Sequence, residues 1–124
     1  IDVGLKRIGL AICLASNIVT PQSAILRKNR DQAARDINTF LKEWEIEKLI
    51  VGFPSASQEM QRRIMHFVSL LNLSIPYEFC EENMSSIEAE EMMKGDIKYK
   101  RDGRVDSLAA KIILERFLAK KPSL

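Results

Sequence analysis

Apolar residues in this chain fall into five short runs and four stretches of helical spacing. Ile1–Val3 is apolar apart from one acid, Asp2, and turns at Gly4. Ile8–Leu14 alternates large and small apolar side chains, which suits a strand buried on both faces with a close neighbour on its small side. Val19–Leu26 reads as a weaker strand, and Pro21 places it at a sheet edge or a bend. A helix is predicted over 29–44, with Asn29 as cap, Gln32 three residues on, and Ala33, Ile37, Phe40, Leu41 and Trp44 on one face. Ile46–Phe53 forms a strong strand ending at Pro54. Ser55 with Gln58 then gives a capping-box pattern for a helix that presents Met60, Ile64, Phe67, Val68 and Leu71. Ile75–Cys80 is a short strand, followed by Glu81 and Glu82. A second capping-box pattern, Ser85 with Glu88, opens a short helix containing Ile87, Met92 and Met93. A polar loop spans Gly95–Gly103, and a last helix runs from about Val105 to Lys120.

Three strands on short links predict an antiparallel meander, and the helical crossovers that follow predict parallel pairing. The expected fold is therefore α/β and ribonuclease H-like: one five-stranded mixed sheet, three antiparallel strands then parallel ones, flanked by helices. The 124 residues, 46% hydrophobic and 29% charged, are expected to form a single domain over 1–124. No apolar run is long enough to cross a bilayer, and no charged-then-apolar segment precedes the first strand. Cys13 and Cys80 lie in apolar runs without metal-ligand spacing and read as reduced core residues, so a cytoplasmic protein is expected.

The net charge of +2 says little by itself; the placement of charge says more. Asp2 lies in the first strand, Glu81 and Glu82 end the last, and Asp106 opens the last helix. In open α/β sheets ligands gather at the carboxyl ends of strands, so these acids are expected to converge. Such a set suits Mg²⁺ or Mn²⁺, which prefer oxygen ligands, and two such ions can clamp a phosphoryl displacement. The competing readings are an ordinary solvated hairpin for Asp2, helix-dipole stabilisation for Asp106 and a solvated strand exit for the two glutamates. Asp2 is the hardest to explain as structural, because its neighbours are apolar. Gly4 is expected to supply a backbone angle that lets the chain turn close to whatever the acid holds. Lys6 and Arg7 follow at once. Lys98, Lys100, Arg101 and Arg104, with Tyr99 among them, form a basic stretch just before Asp106, which suits a nucleic-acid backbone.

Four ordered marks carry a family resemblance across nearly the whole chain. They are Asp2-Val-Gly4-Leu-Lys-Arg-Ile8-Gly9, then Ile50-Val51-Gly52-Phe53-Pro54, then Glu81-Glu82-Asn83-Met84-Ser85-Ser86-Ile87-Glu88-Ala89, and finally Arg104-Val105-Asp106-Ser107-Leu108-Ala109-Ala110. The sequence resembles the YqgF, or RuvX, family of bacterial ribonuclease H-like nucleases. Two departures stand out. Glu81-Glu82-Asn83 replaces the family's Asp-Glu-Arg, which lengthens one acid and removes a bidentate donor. The loop after Pro54 is also short. The resemblance implies a metal-dependent nuclease processing the 5′ end of precursor 16S ribosomal RNA in ribosome biogenesis, with precursor ribosomal particles as partners. The family's older assignment is a Holliday junction resolvase acting on branched DNA. The expected catalytic set is Asp2, Glu81, Glu82 and Asp106, with Asp2, Glu82 and Asp106 as metal ligands. Strand register decides between Glu81 and Glu82, since adjacent side chains face opposite ways. A binding module that grips RNA without cutting it, and a nucleotide-binding half-domain of sugar-kinase type, are the alternatives weighed. Oligomeric state is left open.

Overall fold

A computed structural model describes residues 1–14, 18–82 and 104–120. Among these lie β1 (Asp2–Val3), β2 (Arg7–Cys13), β3 (Val19–Leu26), α1 (Arg30–Glu43), β4 (Leu49–Pro54), α2 (Gln58–Leu71), β5 (Tyr77–Glu82) and α3 (Arg104–Lys120). The helix expected from Ser85 and the loop over 95–103 lie outside the described residues. Among the described residues, no helix is long and apolar enough to cross a membrane.

The meander is present. β1 pairs antiparallel with β2, and β2 with β3, which is the edge strand and so tolerates Pro21 opposite Ala11. β4 and β5 run parallel, in register from Leu49↔Tyr77 to Pro54↔Glu82. The expectation of one five-stranded sheet is corrected: the strands form a three-stranded and a two-stranded sheet. β1, Asp2–Val3, forms its ladder with β2, and β4 forms its ladder with β5. Ile1 bridges the gap. Its nitrogen donates to the Ile50 carbonyl at 2.6 Å, and its own carbonyl accepts from the Gly52 N–H at 2.9 Å. These two bonds align β1 alongside β4 in the parallel sense.

Alternation along the strands sorts the core into two layers. Val3, Ile8, Leu10, Leu49 and Val51 pack against Ala33, Ala34 and Ile37 of α1 and Ile64, Phe67, Val68 and Leu71 of α2. Ile50 and Cys80 point the other way, onto Ile113 of α3. The small side of β2 does meet a close neighbour. Ala109 and Ala110 of α3 are both almost fully buried, and small residues on each surface let helix and strand approach.

Local chemistry sets the boundaries. Asn29 accepts from the Gln32 N–H while the Gln32 side chain reaches back, so α1 begins with the expected capping box. The expected cap Ser55 is corrected to Ser57, whose hydroxyl accepts from the Met60 N–H at 3.2 Å. The Gln61 side chain donates to the Pro54 carbonyl at 2.8 Å, which ties the intervening turn to the helix and delays its start. α2 ends on Asn72 with φ of 51°, a left-handed cap that asparagine tolerates. Glu81 and Glu82 lie inside β5 rather than beyond it, because the ladder continues to Pro54. Cys80 is buried with its thiol toward the Ile113 carbonyl, and burial pushes that thiol up from its ordinary pKa. Cys13 is half-buried rather than a core residue, and both cysteines are free.

Candidate functional site

Asp2 is 8% exposed, one of two buried polar side chains among the described residues. Its neighbours Ile1 and Val3 pack into the α1–α2 layer, so alternation turns Asp2 toward the α3 layer. Its cross-strand partner is Gly9, which sets no side chain opposite the carboxylate.

The other buried polar side chain, Ser107, fixes the helix that approaches this point. Its hydroxyl donates to the Gln22 carbonyl and accepts from the Leu10 N–H at 3.5 Å. Leu10 follows the partner of Asp2, so Ser107 pins the first turn of α3 across β2 and β3 beside β1. Sequence reading singled out Asp106 and passed over Ser107. A small hydroxyl amid apolar residues in the first turn of a helix, next to an acid, was the available signal. The backbones of Glu82, Arg104 and Asp106 are described, but their side chains are not.

Glu81 is exposed and alternates with buried Cys80. It shares its side of β5 with Phe79, whose ring lies 4.6 Å from that of Phe53, at the border of the α1–α2 layer. Glu81 and Asp2 are therefore on opposite sides of their strands. Among the described residues no group of three or more histidine, cysteine, aspartate or glutamate side chains gathers.

The turn after β1 is tightly built. The Gly4 N–H donates to the Arg7 carbonyl at 2.9 Å. A Cβ on Gly4 would stand 2.6 Å from that same oxygen. The expectation about Gly4 is corrected in its cause: the position calls for space, and its φ lies outside the left-handed region. Gly4→Ala is expected to force the turn open and cost about 1–3 kcal/mol, typical of overpacking, measurable as a lower urea midpoint at unchanged slope. Lys6 on this turn is exposed and Arg7 is half-buried. Lys98, Lys100 and Arg101 lie outside the described residues.

Arg27, which sequence reading passed over, braces the turn from below. Its Nη1 donates to the Gly4 carbonyl at 3.0 Å, and its backbone N–H donates to the Lys6 carbonyl at 2.8 Å. The Leu26–Arg30 stretch carries three bases, and that run was the signal to weigh.

Comparison with known proteins places the chain in a family. A family model described as "RuvX: Holliday junction resolvase" matches residues 1–120. A relative from Sulfurovum sp. (strain NBC37-1), named "Putative pre-16S rRNA nuclease", is 64% identical over 96% of this chain and 95% of its own length. Relatives of the same name from Sulfurimonas denitrificans and Campylobacter lari are 52% and 43% identical. The first match covers 98% of this chain and 95% of the relative, the second 94% and 93%. With a family match over nearly its whole length and relatives this similar, the chain belongs to the RuvX family of nucleases.

Proposed function

We propose that this protein is a divalent-metal-dependent endonuclease that hydrolyses phosphodiester bonds at the 5′ end of precursor 16S ribosomal RNA, in the cytoplasm. Asp2, Glu82 and Asp106 hold one or two Mg²⁺ or Mn²⁺ ions. Lys6, Arg7, Lys98, Lys100, Arg101 and Arg104 take the phosphates. The observation that carries this reading is the buried carboxylate of Asp2, turned toward the helix whose first turn Ser107 anchors next to it.

The chemistry of that donor fits the ions named. A carboxylate oxygen is a hard ligand suited to Mg²⁺ or Mn²⁺, and the buried thiol, directed at the Ile113 carbonyl, brings no soft ligand to it. When bound, a divalent ion supplies positive charge against the phosphate oxygens as the P–O bond breaks. The alternation of β5 favours Glu82 over Glu81, because Glu81 sits on the side of Phe79. Exposed Lys6 on the braced turn holds a phosphate without itself entering the reaction. Water adds to phosphorus while the bond to one strand breaks, leaving a phosphate monoester on one product and a hydroxyl on the other.

The family description favours a second substrate, the four-way DNA junction, for the same residues. The purified protein offered both substrates, with Mg²⁺ or Mn²⁺ and with chelator, decides between them. Cutting of the RNA that stops on chelation is expected. Cutting of the junction alone would transfer the reading to branched DNA, and binding without cutting of either would reduce the protein to a binding module.

A further inference from the structure

The half-buried guanidinium of Arg27 has a role that bracing the turn does not exhaust. Besides its bond to the Gly4 carbonyl, it lies 5.3 Å over the centre of the Phe67 ring. Arg63 and His66 both precede Phe67 on α2, and Arg63 lies one helical turn before it on the same face. Arg30, the first residue of α1, places its Nη1 3.0 Å from Nε2 of His66; an arginine can only donate, so the imidazole nitrogen accepts. Arg27 thus lies over the Phe67 ring, Arg30 against the His66 imidazole, and Arg63 one turn before Phe67 on α2. Burial first, then the charges of Arg30 and Arg63, lower the Arg27 pKa.

Counter-charge is scarce. Arg63 meets Glu59 at 2.9 Å, an exposed pair of little worth. Among the described residues, neither Arg27 nor Arg30 forms an ion pair. Gathering three guanidinium groups, one of them partly desolvated, opposes folding unless an anion comes to them. Planar forks of this kind bind phosphate in a bidentate manner. The group also sits close to the candidate site. Arg27 touches Gly4, two residues from Asp2, a backbone reach of at most about 7 Å.

We propose that Arg27, Arg30 and Arg63 form a second phosphate-binding surface, which holds the backbone of a nucleic-acid strand where it passes from the Asp2 site over the Gly4 turn onto the α1–α2 face. This rests on the nucleic-acid reading above. The surface gives the enzyme grip on a flank of the strand removed from the bond being cut, without reading bases.

The test uses the full chain carrying Asp2→Asn, to suppress cutting, and a short single-stranded RNA. Binding is measured as a function of salt for this parent, for Arg30→Gln/Arg63→Gln, and for a charge-matched control, Lys42→Gln/Lys120→Gln, at exposed helix ends. Losing two phosphate contacts should lower the salt slope by about 1.4 and weaken binding on the order of ten-fold at ~0.15 M salt, whereas the control stays with the parent. Adding Arg27→Gln should lower the slope again. If that triple variant unfolds, the double variant, which alters exposed side chains, still decides. Equal slopes for double variant and control overturn the second surface while leaving the nuclease reading intact. No RNA binding by the parent or by wild type overturns both.

Discussion

Asp2→Asn is expected to lower metal-dependent cleavage by more than about 100-fold while the protein stays folded. Asparagine keeps the shape of the side chain and removes its charge. The carboxylate is buried and turned toward the start of α3, with a glycine opposite. Loss of a partner outside the direct ligands of a metal commonly costs 10–100-fold, so loss of a ligand should exceed that. The effect should fall on kcat more than on KM, because a charge that acts as the P–O bond breaks matters most in the transition state. Glu81→Gln provides the contrast. Glu81 lies on the opposite side of its strand, with Phe79. Its replacement should change cleavage by less than about three-fold, well under the ten-fold that 1.4 kcal/mol represents, while Glu82→Gln should resemble Asp2→Asn. A Glu81 variant as inactive as the Asp2 variant would refute the strand assignment.

Phe67→Ala is expected to be the most damaging single change to stability. Phe67 is fully buried at the centre of the α1–α2 layer, among the largest buried side chains in the described core. Removing a buried phenylalanine costs about 3–5 kcal/mol through lost transfer energy and the cavity left behind. Here the ring also supports Arg27, so a further ~0.5–1 kcal/mol of cation–π attraction is lost. Against a usual total of roughly 5–15 kcal/mol, that removes a third or more of the stability. Thermal melting should drop by on the order of 15 °C. Phe67→Leu, which keeps most of the volume, should lose less than half as much. If the alanine variant melted within about 2 °C of wild type, well under the shift for 1 kcal/mol, the layer assignment would be wrong.

Much of this architecture can be read in the sequence because the signals are local and mutually consistent. Asn29 with Gln32 marks the start of α1 through bonds within four residues. The large–small alternation of β2 anticipates a helix lying close on one side. The pairing sense of the three ladders among the described residues follows from link lengths. What the sequence does not reveal depends on distant partners. Whether β1 joins β4 in a ladder depends on contacts between residues 49 positions apart, which no local pattern encodes. The shift from Ser55 to Ser57 as cap comes from Gln61 reaching back to Pro54, a contact with no local signature.

The candidate site shows the same division. The acid in the first strand is conspicuous because its neighbours are apolar, and burial accords with that. The choice between Glu81 and Glu82 needs the register of β5 on β4, which composition does not encode. Ser107 and Arg27 escape notice for a shared reason. Each acts through bonds to backbone carbonyls far along the chain: Gln22 for the serine and Gly4 for the arginine.

The measurement that bears most directly on the central claim is a magnesium titration of wild type and Asp2→Asn, followed by amide chemical shifts. In wild type, shifts should move at Asp2, at its partner Gly9, and at Glu82 and Asp106. In the variant those changes should vanish or require far more metal. Equal shifts at equal metal concentration in both proteins would contradict a metal held by Asp2.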